Sequence, residues 1–289
     1  MYVSPEDARS DLLLAGAVFI FGPIALTLLL TIVPLTRLPG VGQTMSILTP
    51  VLLTIAVPVA LVRYRGESWA DFGLGAGRAG LGAGAALAVP IVVASLLSAT
   101  AGGNPLAGLP VVTLPTLGLN GVISLVARVV TWFGLALLAT YVATKARDAF
   151  RSDFSTVPEG MARIGRIVAI VAGAAALLRF ATTGAVSSLV LPAGVAVTVY
   201  LVWRGVSRPT STGLAALLAP TVLLALGSFF ISFSAARLIE GAWTGALVAA
   251  LGLAMAGIKE SRGGAWPAVG LALVVALATT VPAPLRLGL

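Results

Sequence analysis

The residues able to do chemistry are few in this chain, and two familiar kinds are missing. Its 289 residues include no histidine and no cysteine, and aspartate and glutamate together number 10. Without cysteine there is no disulfide, thiolate ligand or thiol nucleophile, and the redox compartment is not readable from the sequence. Without histidine the commonest metal ligand and the usual acid–base group at neutral pH are gone. What remains is a small set of charges embedded in apolar sequence. Residues 124–141, "SLVARVVTWFGLALLATY", carry Arg128 within a stretch apolar enough to lie in lipid. Thr131 and Trp132 follow at three and four residues, on the same helical face. A mid-membrane arginine costs at least about 2.5–3.5 kcal/mol on insertion scales unless it pairs or snorkels, and Trp132 offers a cation–π contact.

Arg179, Arg237 and Glu240 complete the set of binding candidates. Glu240 stands three residues from Arg237 and pairs with it locally, or else reaches Arg128 and leaves Arg179 and Arg237 for an anion or a lipid phosphate. The serines of "GSFFISFSAAR" (Ser228, Ser232, Ser234) extend such a pocket or simply pack at helix interfaces. No residue is assigned a catalytic role, and no metal or cofactor is expected.

The elements that must position these charges are membrane helices. The chain is 58% hydrophobic and 10% charged, with a mean hydropathy of +1.06, whereas a soluble domain carries about 25% charged residues. Many apolar runs reach the length needed to cross a bilayer. Nine spans are expected, at 12–34, 44–63, 80–100, 119–144, 163–181, 185–203, 213–236, 241–258 and 265–282. The fold class is therefore all-α, a polytopic bundle forming one integral-membrane unit over 1–289.

The basic residues give this count an orientation. Arg9, Arg63, Arg65, Arg78, Lys145, Arg147, Arg151, Arg163, Arg166, Arg204, Arg208, Lys259 and Arg262 fall before the first span or in even-numbered connections. Arg37, Arg179, Arg237 and Arg286 fall on the other side. Positive charge stays cytoplasmic, which places the N-terminus inside and the C-terminus outside. The net charge of +8 is then a matter of topology and anionic headgroups, not of nucleic acid. The start "MYVSPEDARSD" is acidic, unlike a cleavable leader.

Gly80 and Gly84, and Gly241, Gly245 and Ala249, recur at four-residue spacing and let helices approach closely, within the chain or across a dimer. Pro23, Pro58, Pro90, Pro192 and Pro220 interrupt spans. The uncharged loop at 101–118, with Pro105, Pro110 and Pro115, is a lid or a docking surface on the outer side.

The connection after the second span, "RYRGESWADFGLG", resembles the R-x-G-x-S-x-x-D-[LF]-G-L segment of the CPBP family, the CAAX- and bacteriocin-processing intramembrane proteases also called Abi. The match runs from Arg65 to Leu74, and "GVAVTVYLVWRGVSRPTSTGLAALLAPTVLLALG" is similar to a later region of that family. The resemblance covers 12–236, with 237–289 as two additional spans. It implies a related bundle, but Val129 and Val130 stand where the family's glutamate pair would fall, and Ala219-Pro220-Thr221 where a histidine would be. The resemblance therefore implies a pseudoenzyme: a non-catalytic scaffold, accessory subunit or lipid- or partner-binding protein of the cell membrane. The alternative is a transporter or lipid-handling permease for an anionic small molecule or lipid. Expected partners are membrane lipids and a second membrane protein.

Overall fold

The computed structural model describes residues 4–32, 47–49, 51–75, 80–100, 112–114, 119–149, 157–204, 234–262, 264–278 and 280–282. Helix α1 (Pro5–Ile32) begins at a side-chain cap. Ser4 Oγ accepts the Asp7 amide at 3.1 Å and donates to Asp7 Oδ2 at 2.7 Å. Proline at the first helical position gives up only an amide with no intrahelical partner, and Glu6 and Asp7 suit the positive end of the helix.

A π-helical stretch (Val51–Ala56) leads directly into α2 (Val57–Tyr64). Helix α2 ends in a tight reversal. Gly66 takes φ +67°, its amide bonds to Arg63 O at 3.1 Å, and the Glu67 amide bonds to Val62 O at 3.0 Å. This left-handed glycine cap reverses the chain and satisfies the last carbonyls of the helix. It also sets Arg65 and Glu67 on either side of a single reversed residue.

The single span expected over 80–100 is two helices, α3 (Leu81–Leu87) and α4 (Val89–Thr100), whose axes bend by 41° over Leu81–Ser98. Pro90 has no amide to give the preceding turn and crowds the carbonyl four residues back, so the ladder breaks there. After β1 (Val112–Leu114) the chain enters α5 (Leu119–Ala149), then α6 (Val157–Thr183), α7 (Ser187–Arg204), α8 (Ala235–Arg262) and α9 (Trp266–Ala278), and ends in β2 (Thr280–Pro282). The two strands pair in parallel, Val112 opposite Thr280 and Leu114 opposite Pro282. They tie part of the 101–118 loop to the segment after α9. The rest of that loop lies outside the described residues, and apart from this short ladder the described fold is all-helical.

The small residues do the close packing inside the chain. A methyl group on Gly84 would meet the Pro267 carbonyl, and one on Gly270 would meet the Leu81 carbonyl, so α3 and α9 touch backbone to backbone. Gly194 of α7 lies against Pro90 and Ala94 of α4, and Gly134 of α5 against Thr54 of the π-helix. Gly241, Gly245 and Ala249 are likewise buried. Backbones approaching this closely gain dispersion contacts that larger side chains would forbid.

Three described segments are long and apolar enough to cross a membrane: Ile47–Tyr64, Leu125–Lys145 and Ala235–Lys259. The bent pair α3–α4 makes a fourth if it counts as one span. Three to four therefore replace the expected nine among the described residues, and at the C-terminal helices the reason is physical. Trp266–Ala278 has 13 residues, about 20 Å of helix at 1.5 Å per residue, short of a hydrocarbon core of about 30 Å. It is apolar because it is core: Pro267 through Ala272, Val275 and Ala276 are all buried. The expected break at 237–240 does not exist, because α8 runs unbroken from Ala235 to Arg262. The expected seventh span, 213–236, lies outside the described residues except at its last three.

The burial pattern is inverted relative to a water-soluble bundle. Val93, Leu96 and Leu97 of α4, Leu177 and Leu178 of α6, and Val197 and Leu201 of α7 are exposed. Asp11, Arg128, Lys145, Arg179 and Lys259 are buried. Aliphatic groups outside and charges inside suit a surface that faces lipid.

Candidate functional site: two buried charge clusters

Arg179 lies near the end of α6, and its side chain turns inward between α7 and α8. Its Nε donates to Glu240 Oε1 at 3.0 Å and its Nη1 to Ser188 Oγ at 3.1 Å. The guanidinium stands 4.2 Å from the centre of the Trp243 ring, within cation–π range. Trp243 Nε1 in turn donates to the Ser188 carbonyl at 3.1 Å. One cation thus ties three helices, and a planar guanidinium can hold several acceptors and stack on an indole at once.

This arrangement corrects the expected pairing. Glu240 is engaged by Arg179 across the helix interface, whereas Arg237, three residues away on α8, is exposed. The buried guanidinium offers the carboxylate a drier, stronger partner than the exposed Arg237 does. Arg128 and Trp132 are both buried on α5. Thr131, exposed on that helix, donates to its own Ala127 carbonyl at 2.7 Å. Ser228 and Ser232 lie outside the described residues, and Ser234 immediately precedes α8.

The sequence reading missed the larger cluster, at the opposite end of α5. Lys145 is fully buried, with Nζ 3.0 Å from Asp11 Oδ2 and 2.8 Å from Glu67 Oε2. Its aligned hydrogen bond goes to Glu67 Oε1 at 2.9 Å. Arg65 reaches Asp11 Oδ1 through Nε at 3.1 Å and Nη2 at 2.9 Å, and Asp7 Oδ1 through Nη1 at 2.8 Å. Three elements converge: the first turns of α1, the reversed turn after α2, and the last turns of α5. Arg9 adds a hydrogen bond from its Nε to the Ala149 carbonyl at 3.2 Å.

The turn carrying Arg65 and Glu67 is itself held by its neighbours along the chain. Ser68 and Asp71 cap one another, the Ser68 amide donating to Asp71 Oδ2 at 3.0 Å and the Asp71 amide to Ser68 O at 3.0 Å. Phe72 stacks on Tyr141 at 5.3 Å, and Lys145 Nζ lies 5.8 Å from the Tyr141 ring centre. The Ala265 amide donates to Gly73 O and Trp266 Nε1 to Gly75 O, each at 3.0 Å, so the α8–α9 corner fastens the turn from behind. Within the Arg65–Leu74 motif, Arg65, Gly66, Glu67, Ser68, Asp71, Phe72 and Gly73 thus each have a local structural duty.

The electrostatics follow from these contacts. The Ser4 hydrogen bond, more than the Arg65 charge, holds the Asp7 carboxyl below its ordinary value against a smaller opposing effect of desolvation. Its hydrogen bond with Asp11 keeps the Arg65 guanidinium more firmly protonated than usual. Chemically, the cluster is a closed set of ion pairs. Among the described residues no three metal-ligating side chains are placed to hold an ion; instead, Arg65 and Lys145 fill the space between the carboxylates. Signals for the cluster were present in the sequence: Asp7 and Asp11 stand four apart on one helical face, and Arg65 and Glu67 flank a glycine at a helix end. Nothing in the linear chain says that they face Lys145.

Comparison with protein-family models, with curated proteins and with solved structures returns no match to this chain.

Proposed function

We propose that this chain is a multi-pass protein of the cell membrane that works by binding, as a scaffold or accessory subunit, and not by catalysis. The observation that carries the reading is the use made of the buried charges. Arg179 and Lys145 hold carboxylates from other elements instead of facing a substrate. Ion pairs closed in this way fix helix geometry and occupy the acids and bases of the two clusters. The proposed relation to the CPBP proteases fits the same reading, because the Arg65–Leu74 turn is built and fastened while the positions that would carry catalysis are Val129, Val130 and, further on, Ala219. With the N-terminus inside and the C-terminus outside, membrane lipids and a second membrane protein are the partners, and Arg128, Trp132 and Arg237 are the remaining contact candidates.

A permease for an anionic solute or lipid is the second reading. It is favoured by the 41° break between α3 and α4 and by the π-helical stretch Val51–Ala56, since interrupted helices build binding sites in transporters. Mild-detergent purification followed by native mass spectrometry separates the two. A stoichiometric protein partner supports the scaffold. A lone protein that retains an anionic lipid, and loses uptake into proteoliposomes on Arg128→Gln, replaces it with the permease.

A further inference from the structure

We infer that the inner end of α2 docks an anionic phospholipid. The headgroup sits on Arg63 and Tyr64, and an acyl chain lies along the apolar face above them. The inference rests on the membrane placement proposed above and adds to it a lipid class and a site. Arg65 crosses from the end of α2 to Asp7 and Asp11 in the first turns of α1. That contact sets the end of α2 beside the N-terminal end of α1, at the cytoplasmic level in that placement.

The charges at this level are unequally committed. Arg65 and Lys145 are spent on Asp7, Asp11 and Glu67. Arg63 is exposed and forms no ion pair among the described residues. Its backbone is fixed all the same, because its carbonyl accepts the Gly66 amide in the glycine reversal. Tyr64, beside it, is 82% exposed, more than any other large hydrophobic side chain among the described residues. Such a ring is out of place in water and at home at a bilayer interface, where its apolar body meets acyl chains and its hydroxyl meets headgroups. The Arg65 guanidinium, itself anchored on α1, lies 5.6 Å from the ring centre and holds it at the edge of the bundle. Ala60, one turn back on the same face, is exposed, and so are Leu52 and Leu48 further along the same span, Ile47–Tyr64. An uncommitted cation and a phenol at the end of an apolar face complement a phosphate carried above an acyl chain. A zwitterionic headgroup brings its own cation to that phosphate, so the anionic lipid gains more from Arg63.

The chain has no native cysteine, so Ala60→Cys carries a single fluorophore. Leu96→Cys, exposed on α4, carries it as the reference position. Each is reconstituted into phosphatidylcholine bilayers, and brominated phosphatidylglycerol or brominated phosphatidylcholine is titrated in as a quencher. The quenching curves give the relative affinity of the two lipids at each position. Phosphatidylglycerol should be preferred about five-fold at position 60, with no comparable preference at 96. Arg63→Gln should bring the ratio at 60 to about one. Equal quenching by the two lipids at 60 overturns the site, as does a preference that survives Arg63→Gln. The same preference at 60 and 96 also overturns it, because that is the net charge of the chain acting at large. Quenching at 96 but not at 60 means that a protein covers this face, and the site is again lost. Absence of quenching by either lipid at both positions removes the membrane placement along with the site, so the two failures are told apart.

Discussion

The two buried clusters solve the same problem with different margins. Arg179 is satisfied by one carboxylate, one hydroxyl and one indole, and its Glu240 partner keeps 35% side-chain exposure. Lys145 is satisfied almost wholly by charge, between two carboxylates at 3% and 8% exposure. The first cluster loses little if its acid departs, because a neutral acceptor and an aromatic face remain. In the second, each charge is the main reason another can be buried. Redundant partners make a rigid joint, and mutual dependence makes one that fails all at once.

That contrast is open to direct attack by substitution, with thermal unfolding in detergent as the common measure. The largest effect should come from Lys145→Met, which leaves Asp11 and Glu67 buried without their shared cation; a loss of about 3–5 kcal/mol is expected. Arg179→Met should lose less, about 1–3 kcal/mol, since Glu240 can turn to water while Ser188 and Trp243 retain their mutual hydrogen bond. If the two losses are equal, the distinction between the clusters is wrong. Glu240→Gln should cost about 1 kcal/mol, because the amide oxygen still accepts from Arg179. Arg237→Gln, on the exposed side of α8, should fall within about 0.5 kcal/mol of the parent; a larger loss would restore the local Arg237–Glu240 pair.

The smallest expected effect is a pH dependence. Asp7 has a depressed carboxyl in the folded chain, so its contribution is present above the unfolded value and fades as pH falls through the folded one. The melting difference between parent and Asp7→Asn should hold steady above about pH 4 and close below it. A difference that grew on acidification would reverse the assigned shift.

Much of the fold was legible because apolar composition and small-residue spacing are local properties. Gly80 and Gly84 announced a close helix contact, and the contact is with α9 of the same chain. The span count was not legible in the same way. A hydropathy run looks alike whether it lies on the surface, as the exposed Leu96 and Leu97 do, or fills a core, as α9 does. Pro90 was recognised as an interruption, but whether a proline bends a helix or ends it depends on what packs against the break.

The candidate site was legible only by residue type. Arg179 and Glu240 were singled out because charges in apolar sequence demand an explanation, but the partner of each was chosen by helix packing. Lys145 was passed over because a lysine at the end of an apolar run ordinarily snorkels to water. By itself the sequence determined a helical, strongly apolar chain that has neither histidine nor cysteine. Only the tertiary structure decided that residues 7, 11, 65, 67 and 145 form one cluster. The reason is range: a helix shows its neighbours three and four residues on, while these five groups come from three elements that meet only when the bundle closes.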